Sequence, residues 1–377
     1  MAVMRIIMTG TVGLDKAEYL EKVRALARQR HRDVHLCHVG QMMYAEAPDV
    51  GSGRILDLPL SRLHSLRRSV FKDVLQLAET HESIIVNTHA TFRWKHGLFP
   101  AFDFDQLAEF DADMYVCLLD NIDAVHTRLE QDHLVDHSLK DLLIWREEET
   151  LATELMMAGC SLVERESPAK FYLQASGRNS ATAQMVYRLI FEPETPKAYI
   201  SFPMTHVADM PEILAEIDEF RHSLAEHLIV FDPGDLEEYP LYLEALRASE
   251  QGQRVLNYEV LDQMVRFDVA EVLQAGSDFH AQIYARDFKL IDQADMIISY
   301  IPEIPGGKPG LSSGVERELQ HAHEATREVY IVWKPRVTPS PFVVETATKI
   351  FPNVSDLLNY FEKKEYIQPL EAKETLF

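Results

Sequence analysis

Short apolar runs alternate with amphipathic stretches along the whole chain, and that alternation admits few folds. Met4 to Thr9 reads as a buried strand, a glycine turn follows, and Lys16 to Gln29 has the period of a helix. The pattern continues with strands over 34–38, 83–88, 113–119 and 171–175 and helices over 60–80, 122–132, 141–157 and 181–190. Strands of this kind, separated by helices, favour a parallel sheet covered on both faces. Phe191-Glu192-Pro193-Glu194-Thr195-Pro196-Lys197 breaks the pattern with two prolines and two acids, so 192–197 reads as a linker. The alternation then starts afresh, with strands over 198–202, 228–231, 296–300 and 329–333 and helices over 210–226, 286–293 and 316–324. The expected fold class is α/β, as two open parallel-sheet domains over 1–191 and 198–377.

A chain of 377 residues is too long for one ordinary core, and at 46% hydrophobic it can fill two. Its formal net charge of -23 repels phosphate backbones, which excludes a nucleic acid polymer as partner. Cys37, Cys117 and Cys160 show no CxxC spacing, as expected of reduced thiols in a cytoplasmic protein. No apolar run approaches the ~18 residues of a membrane span, so no membrane is expected as partner. Met1 to Gly10 reads as a strand and turn rather than a signal peptide.

Two strand-to-helix junctions carry the chemistry. In the first, Gly10-Thr11-Val12-Gly13-Leu14-Asp15-Lys16-Ala17 stands where a P-loop would cradle phosphate. Gly10, Gly13 and Lys16 fit that motif, but Asp15 replaces its last glycine and Ala17 the hydroxyl that binds Mg²⁺. The second junction is Ser312-Ser313-Gly314-Val315-Glu316-Arg317-Glu318-Leu319, after an apolar strand and a Gly/Pro-rich loop. A helix N-terminus there offers free N–H groups to an anion, and Glu318, one turn inside, can point into the same crevice. Glu316 reads as a first-turn acid complementing the helix dipole. Arg286 is open to a phosphate or to an acidic neighbour. His206, His280, His321 and His323 lack zinc-like spacing with Cys, so no metal is assigned.

With Asn87-Thr88-His89-Ala90, then Gly97-Leu98-Phe99-Pro100, then Arg128 and Asp132, the first half resembles the archaeal-type adenylate kinases. The resemblance implies a nucleotide held by Gly10, Gly13, Lys16, His89 and Arg128. Asn87, where the family has an acid, is a third departure at a phosphate or metal position. The second half, through Tyr199-Ile200-Ser201-Phe202-Pro203, Asp287, Ala294-Asp295 and Ser312-x-Gly314-Val315-x-x-Glu318, resembles the nucleoside 2-deoxyribosyltransferase superfamily. Within it, the 2′-deoxynucleoside 5′-phosphate N-hydrolases look nearest, because Ser312 stands where the transferases have Asp. An Asp would repel a 5′-phosphate that Ser and free N–H groups would bind.

The resemblance implies that Glu318 attacks C1′ and that Asp295 assists the departing base. Tyr199, Ser201, Phe202, Pro203, Asp287, Ser312, Ser313 and Gly314 would then line the substrate pocket. The expected function is hydrolysis of the N-glycosidic bond of a nucleoside 5′-monophosphate or related nucleotide. No cofactor is required for that step, and ATP or another nucleotide, with or without Mg²⁺, is expected at the P-loop. A homo-oligomer is expected. Three alternatives stay open: a kinase–hydrolase fusion, an NAD-cleaving glycohydrolase, and a nucleotide-sensing protein without turnover. Asp15 and Ala17 weigh against the first, and an intact Glu318 weighs against the last.

Overall fold

The computed structural model describes residues 4–95, 97–131, 137–160, 168–177 and 181–369. The chain forms two α/β units, Met1–Gln184 with Asp235–Ile283, and Met185–Gly234 with Tyr284–Phe377.

The first unit is built on five parallel strands, Met4–Thr9, His35–His38, Ser83–Asn87, Met114–Leu119 and Lys170–Ala175. Numbered along the chain, their order across the sheet is 2-3-1-4-5. The central strands are buried on both faces, which is why they are apolar without alternation: all six residues of Met114–Leu119 are buried. The register sets Ile6 beside Ile85 and Met114.

Two antiparallel hairpins had no clear sequence signal, Thr91–Trp94 with Gly97–Pro100 and Val255–Val260 with Gln263–Asp268. The second turns on Leu261 and Asp262, both left-handed (φ 50° and 59°), where the usual signal would be Asn-Gly or Asp-Gly.

The second unit has the strands Lys197–Ser201, Ile229–Phe231, Met296–Ile301, Glu328–Trp333 and Lys349–Phe351, again all parallel. Their order is 2-1-3-4-5, so the topology reverses between the first strand and the third. In such sheets a ligand crevice opens at that switch point, beyond the carboxyl ends of the strands. Below it Ile200, Phe220, Ile298, Tyr330 and Phe361 are almost fully buried and form one core.

Two boundaries differ from the sequence reading. Residues 192–197 are no linker: they form a tight turn inside the second unit. The Thr195 amide donates to Glu192 O (2.9 Å) and the Lys197 ammonium to Pro193 O (3.0 Å). Asp235–Ile283, expected in the second domain, packs into the first unit. Its Glu238 carboxylate accepts from Arg146 and from the Ile122 amide (2.9 Å), while Gln282 accepts from Arg146 (2.7 Å) and donates to Leu143 O (2.7 Å). These polar groups are buried and find these partners within the first unit.

Candidate functional site

In the second unit the switch point is polar. Ser201 ends the first strand, and Ser299 faces it from the third at 3.5 Å between hydroxyl oxygens. The helix Ser313–Glu324 brings Glu318 to the same place, where the Ser201 hydroxyl donates to its carboxylate at 2.5 Å. Tyr199, two residues earlier on the same strand face, is fully buried. Its hydroxyl interacts with Glu318 electrostatically without a hydrogen bond of ordinary geometry.

Asp287, from the helix Gly276–Asp292, adds a second buried carboxylate, paired with Arg286 Nε at 3.1 Å. Arg286 is therefore partnered by an acid, while its Nη1 has no hydrogen-bond partner among the described residues. Burial pushes the Glu318 carboxyl up to about 7; Asp287 adds to the rise, and the Ser201 and Tyr199 hydroxyls oppose it. Burial also raises the Asp287 carboxyl, and Arg286 pulls it back. Two carboxyl groups with elevated proton affinity, beside a tyrosine and two serines, can exchange a proton and offer a nucleophile near neutral pH.

The other expected residues divide. Ser312 is the N-cap of the Glu318 helix, its hydroxyl accepting from the Val315 amide at 3.2 Å. That role leaves the Ser313 and Gly314 amides at the helix start without partners among the described residues. Phe202 and Pro203 are buried just beyond the first strand, and Arg221 lies over the Phe202 ring at 5.4 Å.

Asp295 does not join the cluster. It precedes the third strand, accepts from the Lys197 amide (2.9 Å) and donates its own amide to Lys197 O (2.8 Å). Lys197 begins the strand that Ser201 ends, and four residues at ~3.3 Å each place Asp295 roughly 13 Å from the Ser201 end. Parallel register fixes this, pairing Met296 with Ala198. The acid whose charge bears on Glu318 is Asp287.

In the first unit a cavity of about 320 Å³ opens over the P-loop. Gly10 (φ 141°) and Gly13 (φ 85°) shape the loop, and a Cβ at Gly10 would meet Leu118 O at 2.7 Å. Asp15 sits in the left-handed region (φ 48°), tolerated by Asp though favoured by Gly. Its carboxylate is held by Arg128 Nε at 3.0 Å. Arg128 also donates to Asp120 (2.8 Å) and Gly13 O (3.0 Å), so the cation expected to meet a nucleotide is spent on the loop itself. Asp132 lies outside the described residues.

Lys16 is buried and donates to Gly10 O, with His89 Nδ1 at 3.1 Å. His89 Nδ1 is also 2.7 Å from Gly10 O. A carbonyl only accepts, so Nδ1 carries the hydrogen and cannot accept from Lys16. Burial lowers the Lys16 ammonium to about 8 and holds His89 well below the usual imidazole range. Asn87 pairs with His38 Nδ1 at 2.9 Å.

One residue had no sequence signal at all. Glu149, buried on the helix Leu139–Cys160, accepts from the amides of Gly10 (2.9 Å), Ala90 (2.8 Å) and Thr91 (2.7 Å) and from the Thr91 hydroxyl (2.9 Å). Nothing in the spacing links residue 149 to residue 10. Among the described residues no group of three or more His, Cys, Asp or Glu side chains is placed to hold a metal ion. Nor is any helix among them long and apolar enough to cross a membrane.

A family model described as an AAA domain matches residues 9–141, the stretch that contains the P-loop and all the described residues lining its cavity. No curated protein matches the chain. Among the solved structures that match is a 2-deoxyribosyltransferase from the psychrotolerant bacterium Bacillus psychrosaccharolyticus. It shows 13% identity and a TM-score of 0.28 over 46% of this chain and 98% of that one. Another is shikimate kinase from Bacteroides thetaiotaomicron, at 14% identity and a TM-score of 0.32 over 49% of this chain and 97% of that one. Residues 9–141 are thus similar to an AAA domain, and the chain has a second parallel α/β unit.

Proposed function

We propose that the second unit is an N-glycosidase acting on a nucleoside 5′-monophosphate or related nucleotide, and that the first unit binds a nucleotide. The observation that carries this reading is Glu318, held by Ser201 beside Asp287 at the switch point of the sheet. In the proposed reaction a Glu318 carboxylate oxygen bonds to C1′ as the N-glycosidic bond breaks, and the bonding pair leaves with the base. Asp287, whose proton affinity burial raises against the pull of Arg286, is the group we assign to carry a proton to the departing base. Water then attacks C1′, Asp287 takes its proton, and Glu318 is released as a carboxylate. The Ser313 and Gly314 amides, at the positive end of the helix, suit a 5′-phosphate. No cofactor enters either step.

The test is to incubate the chain with nucleoside 5′-monophosphates and the matching nucleosides and to separate free bases. Release is expected to be faster from the monophosphates, and Glu318→Gln should lower it by roughly 10³-fold or more. Because Glu318 attacks in its ionised form, the rate should rise as pH passes through about 7. Wild-type rates in the Glu318→Gln variant would remove this residue from the chemistry.

A further inference from the structure

We propose that the cavity of the first unit takes one monophosphorylated ligand, its phosphate on the P-loop and its aromatic body among Tyr44, Phe92 and Trp94, and holds it without a divalent cation. The proposal deepens the reading of that unit as nucleotide-binding and rests on it.

Space sets the first limit. A cavity of about 320 Å³ lies at the small end of the ~300–1,000 Å³ range for ligand pockets. It suits one compact ligand, whereas phosphoryl transfer requires a donor and an acceptor together.

Charge sets the second limit. Lys16, Arg67 and Asp15 are the lining groups of fixed charge. Arg67 is paired with Asp103 at 2.8 Å, and Asp15 with Arg128 at 3.0 Å. The lining histidines, His38 and His89, are both held below the ordinary imidazole range and are uncharged near neutrality. Among the described lining residues one cation is left to meet an anion, and it is Lys16. Its ammonium is buried and makes one hydrogen bond, to Gly10 O, since His89 Nδ1 is itself a donor to that carbonyl. Two ammonium hydrogens therefore lack acceptors among the described residues. A buried donor in that state has a strong demand for an acceptor, and a phosphate supplies one.

The third limit is the metal. Ala17 offers no hydroxyl, and Asn87 offers no charge and already bonds His38. A triphosphate carries several negative charges that Mg²⁺ normally shares, and a single phosphate does not need that help. Tyr44, Phe92 and Trp94 give the lining an aromatic part suited to a flat apolar body, with the Trp94 indole fixed in place by its N–H donating to Asp57 at 3.1 Å.

The experiment uses the full chain carrying Glu318→Gln, so that nothing is turned over. AMP, GMP, CMP and UMP, and then ATP, are titrated with EDTA or with excess Mg²⁺, by calorimetry and by tryptophan fluorescence. At least one monophosphate should bind in EDTA with a Kd that Mg²⁺ changes by less than about threefold, and ATP should bind no tighter. Lys16→Met should weaken that binding by at least ~tenfold, about 1.4 kcal/mol. Trp94→Phe should remove the fluorescence change while calorimetric binding persists, which places the ligand in this cavity even if Lys16→Met fails to fold.

Binding that requires Mg²⁺, ATP binding at least ~tenfold tighter than any monophosphate, or a fluorescence change that survives Trp94→Phe would each overturn the proposal. Base release by the wild-type chain reads the other unit. Base release without Lys16-dependent binding sinks this inference alone, and Lys16-dependent binding without base release sinks the glycosidase reading alone.

Discussion

Glu318 shows how a single side chain can weaken the fold it serves. Burial holds its carboxyl at about 7 against an ordinary 4.5, so the folded chain favours the protonated form. The stability tied to that proton is full below the unfolded value near 4.5 and is lost as pH rises through about 7. Glu318→Gln has no charge to bury. It should therefore melt a few degrees above the wild type at pH 8, on a scale of about 2–4 °C per kcal/mol, and close to it at pH 5. Thermal unfolding at the two pH values checks this, and a variant that melts lower at both would show Glu318 to be a stabilising contact. A site residue that costs stability is the usual mark of a group placed for chemistry.

At the scale of elements, the inserted stretch Asp235–Ile283 is tied into the first unit by a few buried polar groups. Arg146 and Glu238 form a two-pronged ion pair, with Nη2 to Oε2 at 3.0 Å, and Gln282 completes the shell. Glu238→Ala leaves a buried guanidinium uncompensated and should cost about 3–5 kcal/mol, read from the denaturant midpoint. Arg146→Met combined with Glu238→Leu should recover most of it, because the penalty lies in the orphaned charge. The insertion also marks a limit on what could be read from sequence. The strands and the long helices announced themselves by period, and Leu60–Thr80 begins and ends where its apolar stripe does. Glu238, in a run of acids and prolines, reads as solvent-facing, and its partners, Arg146 and the Ile122 amide, lie about a hundred residues away. Asp295 and Asp287 are a second case. Both are acids just before the same strand, but parallel register holds Asp295 at the strand's start, while Asp287 sits on the preceding helix and its charge bears on Glu318.

Across the whole molecule, a formal net charge of -23 sets a repulsive field against phosphate polymers, while a small phosphate would need only one local site that overrides it. It should pass unretained over immobilised duplex DNA at physiological salt; retention that weakens as salt is raised would reveal a basic face that the total conceals. The two-sheet α/β plan was legible because strands buried on both faces leave an unmistakable apolar signature. The condition of the P-loop was only half legible. The substitutions at Asp15, Ala17 and Asn87 were plain, but not that Arg128 balances the first or that Glu149 supports the turn from behind. That support has a further consequence. One carboxylate gathers amides from residues 10, 90 and 91, so a loop that begins the chain and a loop eighty residues later share one fastening. Neither can wander without loosening the other, and the cradle holds its shape as a keystone holds an arch, whether or not anything rests in it.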